Sequence, residues 1–231
     1  MVDEVDLHDR LEQVLWRIAA AAWRSGRRPE DVTLIAVCKT WPTSVVKAAY
    51  DLGLRHFGEN RVQEAAAKFS EFRPADLVLH LIGHLQSNKV RQTAALFDSV
   101  DSLDSLGLAG LLAKQAAVRP TPLPVLLEVN VAGEESKFGL AVEAVLPILR
   151  DLQDLPSLRP LGLMTVAPVV SDPEEVRPVF RRLRELRDEC QQALGLPLPE
   201  LSMGMTNDYA VAIEEGATAI RVGRALFGER A

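Results

Sequence analysis

The sequence predicts an α/β fold, a single TIM-type (β/α)8 barrel domain over residues 1–231 with an extra N-terminal helix, and three observations lead there. Short apolar runs rich in β-branched residues alternate with stretches of helical periodicity along the whole chain. Eight such units fit within 231 residues, which suits a parallel sheet closed on itself by crossover helices. The structural alternative is a doubly wound open sheet, but no G-x-G-x-x-G or G-x-x-x-x-G-K-[ST] follows a strand to support it.

The extra helix comes first. Leu7, Leu11, Val14, Leu15, Ile18 and Ala22 recur at helical spacing with acids and arginines between them, giving an amphipathic helix packed on a core. Residues 33–42 form the first strand, bounded by Arg28-Pro29-Glu30-Asp31 and by Pro42. Residues 44–52 read as a helix closed by Gly53, and 54–57 as a strand ending at Gly58. Residues 59–64 then open a helix with two acids and a candidate cap in its first turn. The third strand covers 76–82, followed by Gly83 and a helix from about Gln86; the fourth covers 97–100, and its helix 103–117.

The second half repeats the beat. Residues 124–131 are a strong strand ended by the polar loop Gly133-Glu134-Glu135-Ser136-Lys137, 142–152 a helix, and 158–165 a strand carrying Met164 and Thr165 at its end. A long helix runs from near Pro173 to Gln192, with Pro178 early enough to be tolerated. Its charged face, Arg181 to Glu189, reads as a solvated one laced with helical ion pairs. Residues 201–202 are a strand, 207–215 a helix stopped by Gly216, and 219–222 the eighth strand, ended by Gly223.

Composition narrows the function. At 48% hydrophobic and 25% charged residues the chain is an ordinary globular one. A net charge of −6 argues against nucleic acid or an anionic membrane as the main partner, so any anion must be bound locally. The two cysteines, Cys38 and Cys190, lie far apart with no metal-type spacing, which points to a reducing compartment with no disulfide framework and no metal site. No apolar stretch spans a bilayer and no signal peptide opens the chain, so a cytoplasmic protein is expected.

Lys39 is the first anomaly. Strand side chains alternate, so Ile35, Val37 and Lys39 share one face and Leu34, Ala36 and Cys38 the other. An ammonium that ends a hydrocarbon face either extends its stem to water or becomes a neutral, nucleophilic amine able to form a Schiff base. Cys38, on the opposite face, reads as a small buried hydrophobe.

The second anomaly is at the other end of the chain. In such barrels chemistry sits at the carboxyl ends of the strands, and phosphate often sits after strands seven and eight. Met203-Gly204-Met205-Thr206-Asn207 and Gly223-Arg224-Ala225-Leu226-Phe227-Gly228 occupy those positions. Each could be only a tight turn and a helix cap, but together they suit a phosphate cradle. Arg221 shares a face with Ala219 and Gly223 and emerges toward the same rim, where a structural salt bridge is its alternative.

Five segments carry a resemblance. Val37-Cys38-Lys39-Thr40, Phe57-Gly58-Glu59-Asn60-Arg61-Val62-Gln63-Glu64, residues 80–89 (HLIGHLQSNK), Leu201-Ser202-Met203-Gly204-Met205-Thr206 and residues 220–228 (IRVGRALFG) together resemble the pyridoxal phosphate homeostasis protein family, a relative of the alanine racemase N-terminal barrel. The resemblance implies pyridoxal phosphate (PLP) held as an internal aldimine on Lys39. It also implies Asn60 near the ring, Arg221 at the pyridine nitrogen, and Thr206 with the Gly223 and Arg224 backbone at the phosphate. Met164 and Met203 would pack close to the ring. His80 and His84 lie in a matching segment but read equally well as hydrogen-bonded structural histidines.

There are departures from the family pattern. Thr206 stands where serine is usual, which keeps the hydroxyl, and Arg224 stands where a small or hydroxylated residue is common.

The resemblance implies a non-catalytic cofactor carrier in intracellular vitamin B6 homeostasis, expected to be a monomer, with apo PLP-dependent enzymes as candidate recipients. A PLP-dependent racemase would need a second acid or base opposite Lys39; the only tyrosines, Tyr50 and Tyr209, lie within helices, and the chain stops three residues after Gly228. A PLP-independent, aldolase-like Schiff-base enzyme is the other alternative, and it predicts a colourless protein.

Overall fold

The structure, a computed structural model, describes residues 4–134 and 137–229; within the polar loop at 133–137, Glu135 and Ser136 lie outside the described residues. Helix α1 (Glu4–Arg24) precedes eight strands. These are β1 (Thr33–Val37), β2 (His56–Glu59), β3 (Val78–Leu81), β4 (Ser99–Leu103), β5 (Leu123–Glu128), β6 (Leu158–Met164), β7 (Glu200–Ser202) and β8 (Ala219–Val222). They pair in sequence order into one closed barrel, and β1 is parallel both to β2 and to β8. The (β/α)8 expectation holds.

Crossover helices surround the barrel: α2 (Thr43–Asp51), α3 (Val62–Glu71), α4 (Val90–Leu96), α5 (Leu106–Ala116), α6 (Val142–Leu152), α7 (Arg177–Leu194) and α8 (Tyr209–Glu214). A last short turn, α9 (Arg224–Phe227), follows β8, and α1 packs against α8 and α9. The alternation of strand side chains sorts the barrel into two environments. Leu34, Ala36 and Cys38 join Phe57, Phe97, Leu112 and Phe180 in the hydrophobic shell between strands and helices. Ile35 and Val37 face the lumen, where Ile35 lies in register with Arg221.

That lumen is polar over part of its length. The His56 and His80 rings are 3.0 Å apart (Nδ1 to Nε2), His80 Nδ1 lies 3.1 Å from Asp101 Oδ2, and Ser99 donates to Asp101 Oδ1 at 2.5 Å. Burial and the neighbouring His80 depress His56 to about 4. Burial pushes the Asp101 carboxyl upward, but His80, Ser99 and Arg221 override it and hold Asp101 below its ordinary range.

Several boundaries differ from those read in the sequence. The first strand stops at Val37 rather than 42, because Thr40 adopts φ 67° and Trp41 N–H folds back to the Cys38 carbonyl at 3.1 Å. Lys39 therefore sits in a turn beyond the strand. Glu59 ends β2, fully buried, and α3 starts only at Val62 with no side-chain cap at Arg61. Leu103 belongs to β4, and α5 begins after Ser105, whose hydroxyl accepts from Leu108 N–H at 3.3 Å. The charged face of α7 is only partly solvated: Arg181 and Arg184 donate to the Glu215 carboxylate at 3.0 and 3.1 Å, and Arg177 reaches Glu214 at 2.6 Å. These contacts dock α7 on the end of α8.

Candidate functional site

A cavity of about 630 Å³ opens at the carboxyl ends of the strands, and Lys39, Asn60, Thr206, Arg221, Gly223 and Arg224 all line it. Six of the seven site residues expected from the sequence thus converge, from β1, β2, β7 and β8. Met203 does not. Ser202 faces the lumen on β7, so its neighbour Met203 points outward and is buried in the hydrophobic shell; Met205 lines the cavity instead. Met164 is fully buried on β6 and is not among the lining residues. His80 is committed to Asp101, and the exposed His84 lies 3.0 Å from Asp104 and stacks on Phe138 at 4.0 Å, both away from this cavity.

Local chemistry explains each position. Lys39 is half-buried in the turn that follows β1, where it lines the cavity beside Val37. Arg221 is 4% exposed and is held from two sides, Nη1 donating to the Ser202 hydroxyl and Nη2 to the Thr165 carbonyl, each at 2.7 Å. Burial lowers its guanidinium, against which Asp101, Glu128 and Asp208 supply negative charge. Glu128, at the end of β5, is pushed up to about 6 by burial, with Arg221 opposing and Asp104 adding to the rise.

The turns that follow β7 and β8 are joined to each other. Thr206 Oγ1 accepts from Ala225 N–H at 3.5 Å, and Asp208 Oδ1 accepts from Met205 N–H at 2.6 Å, which closes the turn before α8. Gly204 takes φ 94°, and a Cβ there would lie 2.6 Å from that of Ala212, so only glycine allows this turn to lie on α8. Gly83 serves a different need: a Cβ there would come within 2.5 Å of the Asn60 carbonyl oxygen, so its bareness lets Asn60 reach the cavity wall.

Three features of the site escaped the sequence reading. Arg17, from α1, and buried Asp208 also line the cavity; Arg17 reads in sequence as an ordinary polar-face residue. Behind the Lys39 turn, Lys68 is 6% exposed and donates to the Cys38 carbonyl at 2.7 Å, to Glu59 and, at 3.3 Å, to Glu64. Burial opposes its ammonium, but the surrounding acceptors hold it above its ordinary range, so Lys68 is a cation. Its i,i+4 spacing from Glu64 looks like a surface pair, and nothing local signals its burial.

Chemically, the cavity combines an amine, a buried guanidinium, a hydroxyl and a glycine-containing turn, with two further arginines at its edge. It suits a phosphorylated ligand that carries an electrophilic carbon.

Comparison with known proteins finds relatives over nearly the whole chain. Residues 17–231 match the alanine racemase N-terminal domain family. The chain is 46% identical over 222 residues to a pyridoxal phosphate homeostasis protein of Aquifex aeolicus, covering 96% of this chain and 97% of the relative. It is 43% identical to one of Pseudomonas aeruginosa, with 96% and 95% covered. Among solved structures, PipY of Synechococcus elongatus, with PLP bound, matches with a TM-score of 0.84 at 39% identity, over 96% of this chain and 100% of that one.

Proposed function

Because the chain belongs to the pyridoxal phosphate homeostasis protein family, we propose that it binds PLP in this cavity and acts in intracellular vitamin B6 homeostasis as a carrier rather than a catalyst. The observation that carries the reading is the convergence of Lys39, Arg221, Thr206, Gly223 and Arg224 on one cavity in a chain of net charge −6. The donor set fits the group: cations and a hydroxyl for a phosphate, and an amine for an aldehyde. PLP supplies a reactive aldehyde that an amine captures reversibly.

In this reading the whole chain is one PLP-binding domain, and Lys39 provides the amine for covalent attachment, with loss of one water. Thr206 and the Gly223 and Arg224 amides hold the phosphate, and Asn60 flanks the ring. Arg221, a permanent donor fixed by Ser202 and Thr165, offers the pyridine nitrogen a hydrogen bond that keeps it unprotonated. That disfavours the electron withdrawal on which carbanion chemistry depends, and supports carriage over turnover.

The racemase alternative is disfavoured by Tyr209. It is 2% exposed, packed in the hydrophobic shell, and absent from the cavity lining, so it does not oppose Lys39. The protein is expected to act as a monomer in the cytoplasm and to pass PLP to apo-enzymes; among the described residues no helix is long and apolar enough to cross a membrane.

The test is a visible-absorption scan of freshly purified protein, repeated after borohydride reduction with peptide mapping. A visible band that reduction fixes on Lys39 is expected. A protein that stays colourless after incubation with PLP overturns the reading in favour of a PLP-independent, aldolase-like Schiff-base enzyme.

A further inference from the structure

The turn that presents Lys39 is conformationally unfavourable. Trp41 N–H closes it on the Cys38 carbonyl at 3.1 Å, which puts Lys39 and Thr40 at its two central positions. Thr40 has φ 67°, and it is the only non-glycine residue with positive φ among the described residues. The second central position of such a turn normally takes glycine, and a β-branched residue there is an outlier that persists only if its surroundings impose it.

The surroundings here form one ionic cluster. Lys68 Nζ donates at 2.7 Å to the Cys38 carbonyl, the peptide group before Lys39, and Glu64 Oε1 accepts from Thr40 N–H, the peptide group after it. Lys68 joins the two anchors by donating to Glu64 at 3.3 Å and to fully buried Glu59, which also accepts from the Cys38 thiol at 3.2 Å. A buried ion cluster of this kind is a poor source of stability compared with hydrocarbon of the same volume. Its contacts instead fall on both peptide groups that flank Lys39.

We propose that Lys68, with Glu64 and Glu59, is a positioning cluster that forces the Cys38–Trp41 turn into its left-handed conformation and thereby aims the Lys39 amine into the cavity. None of the three lines that cavity, so they act through the turn. The consequence for ligand binding rests on the reading of Lys39 as the PLP attachment residue; the consequence for the turn does not.

The experiment compares wild type, Lys68→Met, Lys68→Met with Thr40→Gly, and Glu64→Ala. PLP affinity is read by visible titration, attachment by borohydride mapping, and turn order by hydrogen exchange of the Thr40 amide, with far-UV circular dichroism to monitor folding. Lys68→Met is expected to weaken PLP binding by about tenfold or more, the scale of one lost charged hydrogen bond, and to speed Thr40 exchange by a similar factor. Adding Thr40→Gly, which removes the left-handed penalty, is expected to recover much of the affinity; a cluster that served only stability would show no such rescue. Wild-type affinity and wild-type Thr40 exchange in folded Lys68→Met, or a failure of glycine to rescue, overturn the proposal. Should Lys68→Met not fold, Glu64→Ala on the half-buried face of α3 decides through the Trp41 amide, which closes the turn on the Cys38 carbonyl rather than bonding Glu64: faster Trp41 exchange supports the proposal and unchanged exchange overturns it. If wild type itself takes no PLP on Lys39, the carrier reading fails, and the exchange measurement still decides the turn.

Discussion

Arg221 and Ser202 meet inside the barrel at 2.7 Å, guanidinium Nη1 to hydroxyl, so that β8 is tied to β7 at the level of the cavity floor. The same guanidinium donates to the Thr165 carbonyl at 2.7 Å. Arg221→Lys keeps the charge but loses the planar fork whose two nitrogens reach the two acceptors separately. A stability loss of about 1–3 kcal/mol is expected in urea unfolding, together with weaker PLP retention. Unchanged midpoints for both would show that the fork is dispensable.

Glu128 gives a pH signature. Burial raises its carboxyl from 4.5 to about 6, so the folded state holds this proton more tightly than the unfolded chain. The sign follows: below the unfolded value Glu128 costs nothing, and its penalty grows as pH rises through the folded value, to about 2 kcal/mol. Glu128→Gln removes that penalty. Urea unfolding at pH 4.5 and pH 7 should show the variant gaining on wild type by that amount at the higher pH, and an equal gap at both values would refute it.

Gly83 is expected to tolerate no side chain. Gly83→Ala drives a Cβ to 2.5 Å from the Asn60 carbonyl oxygen, at a cost of about 1–3 kcal/mol, and displaces Asn60 from the cavity wall. Gly110→Ala on α5 is the control: nothing lies within 4 Å of its new methyl, and it should stabilise by about 0.5–1 kcal/mol. Denaturation of the two variants alongside PLP titration separates local crowding from a general intolerance of alanine.

The barrel was legible in the sequence because each apolar run is punctuated by polar or glycine turns; β8 and α6 match their expected bounds, 219–222 and 142–152. Lys39, Thr206, Gly223 and Arg221 were legible as anomalies of position. Two things were not. The Lys39 turn opposes the intrinsic preference of threonine, so propensity extended the strand through it, and only tertiary contact from α3 overrides that preference. The burial of Lys68 is created by a strand end far away in the chain. Met203 is a different case: alternation from Ser202 already turns it away from the lumen, and the resemblance outweighed that rule.

Glu215 should prove a structural anchor. Burial opposes its ionisation, but hydrogen bonds from Arg181 and Arg177 hold the carboxyl below its ordinary range. Its contribution is therefore complete above the ordinary glutamate range and disappears as pH falls through the depressed folded value. Glu215→Ala is expected to cost about 1 kcal/mol, less in high salt because Arg181, the most exposed of its arginine partners, is open to screening. Salt-independent destabilisation would point to packing instead.

Arg224 lines the cavity with an exposed side chain, whereas its backbone opens α9. Arg224→Ala is expected to change PLP affinity by less than about fivefold, the size of a screened surface charge. A larger loss would transfer the phosphate contact to the guanidinium.

The pairing of β1 with β8 has a consequence for biosynthesis. A ribosome releases the Lys39 turn early, but Arg221 and the glycine turn after it emerge only with the final strand. Until then the growing chain carries the amine without the pocket that surrounds it, and closure must await the longest-range pairing in the molecule. On the proposed reading, capture of a reactive aldehyde by Lys39 is therefore a post-translational event, and a stalled or nicked chain lacking β8 would expose the lysine without the pocket that gives it selectivity.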